Sequence, residues 1–249
     1  MKRSSPGSRP AFRKAALVVL DIQNDFCAPN GLAACYAESP ACVERAVDHS
    51  ATLVEYARTA GMECIFVRSL MDNKYKLPKL LDRHRKLGLK QQICREGKWG
   101  AEFYRIHPRN SECVVTKHTN DAFLYTFLEP LLRKHRARTV IICGFYTEIC
   151  IEDTVRSALQ RGFHVVIPED CTAGLSLTCM RASLLNMSAL QADVIPLRDL
   201  MSSKEPGARI DSGGTFAEPE VPLRISDEVP CDGSRLNGPA GRGGPEAAA

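Results

Sequence analysis

The sequence predicts a three-layer α/β sandwich of the Rossmann-like kind, with a six-stranded, mostly parallel sheet. Two observations lead to this prediction. Short apolar runs recur along the chain, and stretches with helical periodicity lie between them, several ending at a glycine. Buried parallel strands form continuous apolar runs and need crossover connections. Their alternation with helices therefore predicts one sheet covered by helices on both faces.

The first half of the chain begins this alternation. An apolar strand is predicted at 15–21, and a helix follows at 41–60 with apolar residues on one face. Gly61 stands where that helix should end. The next strands are predicted at 62–67 and 112–116.

The second half continues it. A helix is predicted at 122–135, which Pro130 either kinks or splits. The remaining predicted elements are a strand at 139–143, a helix at 148–160, a strand at 163–167, a helix at 178–190 and a short strand at 192–195.

Composition limits the classes of function. The 249 residues are 44% hydrophobic and 25% charged, which suits one domain with a large core. A net charge of +4 is too small to indicate nucleic-acid binding, and no apolar run is long enough for a membrane helix or a secretory leader. Eleven cysteines without a C-x-x-C pair predict buried free thiols in a reducing compartment. We therefore expect a cytoplasmic protein with neither nucleic-acid nor membrane partners.

The two ends differ from the middle. Residues 1–13 form a predicted basic flexible arm, for which a targeting signal is the less favoured alternative. Residues 14–201 form the predicted domain. Residues 202–249 contain eight glycines and six prolines and carry more acidic than basic residues. Such a segment buries too little apolar area to offset its ordering entropy, so it is predicted to be disordered.

Three reactive side chains follow predicted strands. Asp21 ends the first strand, Lys117 follows the third, and Cys150 lies shortly after the fourth at the start of a helix. Ligands bind beyond the carboxyl ends of parallel strands, so an acid, an amine and a thiol are expected to meet there. Each also has an ordinary alternative: Cys150 as a packing residue, Asp21 as a cap and Lys117 as a solvated strand end.

Together, these groups suit acyl transfer. The helix N-terminus and Lys117 are expected to lower the pKa of Cys150 and favour its thiolate. Asp21 is expected to take the thiol proton and later give it to a leaving amine. Backbone N–H groups before Cys150 are expected to face the developing oxyanion.

Three segments resemble the isochorismatase-like cysteine hydrolase family. They are ALVVLDIQNDF (16–26), VVTKHTNDAF (114–123) and IICGFYTEICIEDTVRSALQRGFHVVIPEDCTAG (141–174). The resemblance implies the same α/β sandwich and catalytic roles for Asp21, Lys117 and Cys150. It also implies a cis peptide between Phe145 and Tyr146, and an oxyanion hole formed by the N–H groups of Tyr146 and Cys150.

The sequence also departs from this family. Nicotinamidases of the family have a metal-binding D-x-H motif after the second strand, whereas here only Asp72 and His84 are present. We therefore expect no metal and no other cofactor. Tyr146 replaces a commonly small residue and is expected to narrow the pocket or offer its hydroxyl. Glu148, where Asp or Asn is usual, is expected to cap the start of its own helix, with a functional role as the less favoured alternative.

Candidate substrate-binding residues lie near these motifs, and several have structural alternatives. Asn24 is either a pocket residue or holds a turn, and Trp99, in a segment resembling ureidoacrylate and N-carbamoyl amidohydrolases, is either over the substrate or in the core or an interface. The basic stretch 74–90 is a solvated face or, less favourably, a lid for an anionic substrate. The full set is Gln23, Asn24, Phe26, Trp99, Phe123 and Phe145.

The predicted function is metal-independent hydrolysis of a C–N bond in a small amide, ureido or carbamoyl compound through a thioester. Cys150 favours this over hydrolysis of the enol ether of isochorismate, which remains an alternative, as does a catalytically silent binding or scaffold protein. The partner is a small-molecule substrate, and the resemblance implies a homo-oligomer, either a dimer or a tetramer.

Overall fold

The structure is a computed structural model that describes residues 14–75, 78–79, 82 and 92–202. The predicted arm at 1–13 and the predicted tail from residue 203 onward lie outside the described residues. So do His84 and most of the basic stretch 74–90.

One parallel sheet runs through the described part of the chain. The strands are β1 (Ala15–Leu20), β2 (Glu63–Ser69), β3 (Cys113–Lys117), β4 (Thr139–Phe145), β5 (His164–Pro168), β6 (Thr172–Ala173) and β7 (Asp193–Ile195). Their order in the sheet is β3-β2-β1-β4-β5-β7, and the two-residue β6 pairs with β4 beside this row. The predicted parallel sheet is confirmed, whereas β6 was too short to give a sequence signal.

Helices cover both faces of the sheet. The helices are α1 (Asn24–Cys27), α2 (Pro40–Thr59), α3 (Leu128–Lys134), α4 (Glu152–Gln160), α5 (Leu177–Ala189) and α6 (Leu197–Ser202). Residues of α2 and α6 share one apolar cluster, and residues of α3, α4 and α5 share the other. A π-helical turn at Thr147–Ile151 leads directly into α4.

The predicted helix at 122–135 is wrong over its first half. Tyr125 has a left-handed φ of +58°, and the N–H of Phe123 donates to the Asp121 carboxylate at 2.8 Å. These features make the segment before Leu128 a loop. Pro130 falls in the first turn of α3, where a missing N–H removes no helical hydrogen bond.

Strand β1 lies at the centre of the sheet and is buried on both faces. Ala15, Leu17 and Val19 belong to one cluster, whereas the alternate residues belong to the other. Since β2 and β4 flank this strand, the residue after Leu20 lies at the middle of the sheet's carboxyl edge.

The ten cysteines in the described part of the chain have free thiols. In the same described part of the chain, every helix is too short or too polar to cross a lipid bilayer.

Candidate active site

Asp21 begins the site directly after β1. Its backbone is left-handed, with φ at +57°, a conformation that Asp tolerates better than most residues. Its N–H donates to the carbonyl of Val67 at 2.9 Å, and its side chain is inaccessible to solvent. The bend after the strand therefore holds the carboxylate inside the protein.

Gly144 permits β4 to approach β1 at this point. It pairs with Leu20 and has a φ of +125°. A Cβ atom at Gly144 would lie 1.8 Å from the carbonyl oxygen of Leu20. Only glycine fits this close contact.

Lys117, the last residue of β3, reaches across to Asp21 and Cys150. Its Nζ lies 2.8 Å from Asp21 Oδ2 and 3.2 Å from Cys150 Sγ. It also donates to the carbonyls of Thr119 and Asn120, each at 3.0 Å. The ammonium is buried, and its contacts hold it between the acid and the thiol.

Cys150 lies in the π-helical turn after β4 and is 5% exposed. The turn is widened because the N–H of Ile151 donates to the carbonyl of Tyr146, five residues earlier, at 3.1 Å. The peptide bond between Phe145 and Tyr146 is cis, in agreement with what the resemblance implied.

The expected lowering of the thiol pKa is not found. Burial raises the pKa of Cys150 to about 12, with a further contribution from the Asp21 carboxylate, and the Lys117 ammonium only partly opposes this. For Lys117, burial favours the neutral amine, but the charges of Asp21 and Cys150 outweigh it and raise its pKa. In the free protein, burial and the Asp21 carboxylate therefore favour the protonated thiol, which is opposite in direction to the predicted lowering of the pKa.

Ser69 is a site residue that the sequence analysis missed. Its hydroxyl, buried at the end of β2, donates to Asp21 Oδ1 at 2.9 Å. The other oxygen, Oδ2, faces Lys117 but has no aligned hydrogen-bond donor among the described residues. A serine at the end of an apolar strand is ordinary in the sequence, and it gains meaning only once that strand is paired with β3 and Ser69 stands opposite Lys117.

The side-chain amide of Gln23 is hydrogen-bonded to the backbone of Ser69 and of Ala101. Its Oε1 accepts from the N–H of Ser69 at 2.7 Å, and its Nε2 donates to the carbonyls of Ser69 at 3.0 Å and Ala101 at 2.9 Å. Both amide hydrogens thus have partners. These contacts give Gln23 a supporting place in the site, and its predicted contact with substrate stays a prediction.

Asn24 holds the loop that contains Trp99. Its Nδ2 donates to the carbonyl of Trp99 at 2.8 Å, which matches the structural alternative for Asn24. Trp99 is 46% exposed, so it is partly open to solvent.

Three of the predicted aromatic residues lie together. The ring of Tyr146 makes edge-to-face contacts with Phe26 and Phe145, at 5.6 and 6.0 Å between centroids. The Tyr146 hydroxyl donates to the carbonyl of Phe26 at 2.9 Å. This hydroxyl is therefore committed to a backbone contact.

Phe123 lies in the other core cluster, which also contains Cys150. It stacks on Phe163 at 6.1 Å and lies under the guanidinium of Arg161 at 4.9 Å. These contacts bury its side chain in the core.

Glu148 does not cap its own helix as expected. Its Oε1 accepts from the N–H groups of Leu175 and Ser176, at 2.7 and 3.1 Å. It thereby ties the turn that bears Cys150 to the start of α5.

Of the two residues noted beside the metal motif of the family's nicotinamidases, only Asp72 is described, and its carboxylate is used within the protein. Asp72 accepts from the N–H of Glu96 at 2.8 Å and lies 3.9 Å from Arg95, while His84 lies outside the described residues. In the described part of the chain, no three His, Cys, Asp or Glu side chains converge in a way that could hold an ion.

A surface cleft of about 450 Å³ lies away from these groups. It is lined by residues that include Arg156, Phe163 and His164. His164 begins β5, so this cleft lies at the amino end of that strand, whereas Asp21 and Lys117 lie at the carboxyl edge. The candidate site is therefore defined by its hydrogen bonds and charges and not by this cleft.

Known proteins are similar to this chain in sequence and in fold. A maleamate amidohydrolase of Pseudomonas putida is 27% identical over 78% of this chain and 89% of its own length. A ureidoacrylate amidohydrolase of Azorhizobium caulinodans is 26% identical over 65% of this chain and 77% of its own. A crystal structure of an isochorismatase family protein from Desulfovibrio vulgaris superposes with a TM-score of 0.66 at 26% identity, covering 76% and 96% of the two chains.

A family model gives the same assignment over most of the sequence. The isochorismatase domain matches residues 15–199, a range that contains every side chain of the site. The chain therefore belongs to the isochorismatase family.

Proposed function

We propose that this protein is a cysteine amidohydrolase that cleaves a C–N bond in a small amide, ureido or carbamoyl compound without a metal. One observation carries the proposal: a buried ammonium, that of Lys117, lies 2.8 Å from a carboxylate oxygen of Asp21 and 3.2 Å from Cys150 Sγ. Relatives named as maleamate and ureidoacrylate amidohydrolases support the choice of C–N bonds.

The first half of the reaction acylates the sulfur. Asp21 takes the thiol proton as Cys150 attacks the carbonyl carbon of the substrate. The N–H groups of Tyr146 and Cys150 stabilise the negative oxygen of the tetrahedral intermediate. The C–N bond then breaks, and Asp21 returns the proton to the leaving nitrogen, which leaves a thioester on Cys150.

The second half releases the acid. Water attacks the thioester carbonyl while Asp21 takes a proton from that water. The C–S bond breaks, the carboxylic acid leaves, and the proton returns to the sulfur. Throughout, the Lys117 ammonium stabilises each form of the sulfur that carries negative charge.

Because burial raises the pKa of Cys150, the proposal requires proton transfer during the attack. In this reaction scheme the thiol, and not a preformed thiolate, is the starting state. Asp21 therefore has to act as a base in each catalytic cycle.

The test is product release from a panel containing maleamate, ureidoacrylate, simple carboxamides and isochorismate. We expect the protein to turn over at least one of the C–N substrates and to show a covalent acyl mass in acid-quenched samples. Cys150→Ala should abolish both, with an unchanged circular dichroism spectrum. Cys179→Ala, at an exposed cysteine, is the matched control and should retain full activity.

Three results would contradict the proposal. Full activity of Cys150→Ala would exclude the sulfur as nucleophile. Turnover of isochorismate alone would identify an enol-ether hydrolase. No turnover of the panel, together with slow and uniform alkylation of all cysteines, would favour a binding protein.

A further inference from the structure

We propose that Ser69 and Gln23 are positioning residues that direct Asp21 Oδ2 toward Cys150, so that this oxygen is the one that carries the proton. The inference rests on the proposed function, in which Asp21 is the base. It concerns how the carboxylate is held at the angle that the reaction needs.

The first step is the contact between Ser69 and Asp21. The torsion that rotates a carboxylate group is broad, so burial alone does not fix which oxygen faces the sulfur. The hydroxyl of Ser69 donates to Oδ1 at 2.9 Å, and both side chains are fully buried. With Oδ1 bonded to a neutral donor, Oδ2 is left facing Lys117 at 2.8 Å.

The second step is the lone pair that remains on Oδ2. The Lys117 ammonium is the charged partner of Oδ2, and no backbone N–H or hydroxyl among the described residues is bonded to this oxygen. The Lys117 donors are directed at Cys150 and at the carbonyls of Thr119 and Asn120. Oδ2 thus combines proximity to a positive charge with a lone pair that is free to take the thiol proton.

The third step is the fixed position of Ser69 itself. It is the last residue of β2, where the backbone groups facing away from the ladder need other partners. The amide of Gln23 bonds both its N–H and its carbonyl, at 2.7 and 3.0 Å, and anchors itself to Ala101. Because Gln23 fixes the backbone of Ser69, it also fixes the point from which the Ser69 hydroxyl reaches Asp21.

The consequence is a chain of contacts across three strand ends. Asp21 follows β1, Ser69 ends β2, and Lys117 ends β3 in register with Ser69. A hydrogen bond donated to a carboxylate also favours its charged form. Ser69 thus sets the orientation of the base.

The experiment compares Ser69→Ala with Ser69→Thr, which keeps a hydroxyl, and with Ser50→Ala. Ser50 lies in α2, outside the site, and is the matched control because it is equally buried. Its hydroxyl donates to the carbonyl of Cys171 at 3.1 Å. Each variant is assayed for kcat and KM across pH with the substrate found in the panel. Each is also alkylated with iodoacetamide across pH, with Cys150 followed by peptide mass spectrometry.

For Ser69→Ala we expect kcat to fall about 10- to 100-fold, the loss of one hydrogen bond to a charged group, with KM changed less than about threefold. The acidic limb of kcat/KM should move about one pH unit upward, and the acidic limb of Cys150 alkylation should move with it. Ser69→Thr and Ser50→Ala should keep the limbs of the wild-type protein. Circular dichroism over the same pH range shows where each variant stays folded, and only limbs that lie within that range are compared.

Unchanged kcat and unchanged limbs in Ser69→Ala would overturn the inference, as would an equal shift in Ser69→Thr. Alkylation needs no substrate and separates the two proposals. If the wild-type protein hydrolyses nothing but the Cys150 limb still shifts in Ser69→Ala, the positioning role stands and the proposed function fails. If hydrolysis occurs without any shift, the positioning role fails and the function stands.

Discussion

Lys117 and Asp21 form an ion pair in which 2.8 Å separates Nζ from Oδ2, and both side chains are completely inaccessible to solvent. Two desolvated charges persist in a protein interior only where other polar groups satisfy them. Here the ammonium also donates to two carbonyls and a thiol, and the carboxylate accepts from Ser69. The pair links β1, β3 and the turn that bears Cys150.

Removing the ammonium should damage both stability and turnover. Lys117→Met keeps most of the side-chain volume but leaves the Asp21 charge buried without its partner. We expect a loss of about 3–5 kcal/mol in the free energy of unfolding and at least a 100-fold loss, roughly, in kcat. Denaturant unfolding and steady-state kinetics measure the two effects.

Lys134→Met is the matched control, because Lys134 is exposed near the end of α3. It should change stability by less than about 0.5 kcal/mol. Equal stabilities for the two variants would show that the buried pair is not needed for folding.

Buried thiols should make the protein sensitive to alkali. Burial is the first cause that raises the pKa of Cys64, Cys143 and Cys150, each to about 12. Because the folded pKa lies above that of the unfolded chain, this stability is complete below about pH 8.5 and is lost as pH rises toward 12. Each thiol should cost about 1 kcal/mol per pH unit in that window, so Tm measured by calorimetry should fall steadily above about pH 9.

The contribution of a single thiol can be separated from other groups that titrate at high pH. Cys143→Ala should give a shallower fall of Tm with pH, even if its Tm at neutral pH is lower. Cys179→Ala, at an exposed thiol, should keep the slope of the wild-type protein. Parallel slopes for all three proteins would refute the assignment to buried thiols.

Chelation should leave hydrolysis unchanged. The Asp72 carboxylate accepts from a backbone N–H, so it is already used within the protein. The nucleophile in the proposed reaction is sulfur, and the positive charge beside it comes from Lys117. We expect equal kcat before and after exhaustive dialysis against EDTA, with total metal measured by mass spectrometry. Activity that disappears on dialysis and returns with added zinc, iron or manganese would contradict this expectation.

Gly144 should tolerate no side chain. The Cβ of Gly144→Ala would lie 1.8 Å from the Leu20 carbonyl, on the residue before Asp21. To relieve this contact β4 must move, so we expect a loss of more than about 2 kcal/mol in stability and a large loss of kcat. Thermal unfolding and the turnover assay measure these losses.

Gly97→Ala provides the comparison, since Gly97 has a φ of +68° but a Cβ added there would meet no atom within 4 Å. It should show only the conformational cost of a left-handed alanine, about 1–2 kcal/mol, and nearly normal kcat. A larger loss at Gly97 than at Gly144 would mean that the close strand approach is not what limits substitution.

The sequence by itself predicted the layered fold and, with the resemblance of three segments to a known family, the meeting of Asp21, Lys117 and Cys150. Apolar runs mark buried parallel strands, and residues that follow such strands must lie at one edge of the sheet. It did not determine the loop before Leu128, where the Asp121 contact and a left-handed Tyr125 outweigh helical periodicity. Nor did it reveal Ser69, because one serine in a strand carries no signal until its neighbour is known.

The tertiary structure alone decided the direction in which the pKa of the sulfur moves and the uses of the polar residues nearby. A pKa depends on burial and on charges that are distant in sequence, and these raise that of Cys150 where the helix argument alone predicted the opposite. Likewise, the partners of Gln23 come from the ends of β2 and from the segment around Ala101. Local sequence places a residue on an edge, whereas its hydrogen bonds depend on which other segments fold against that edge.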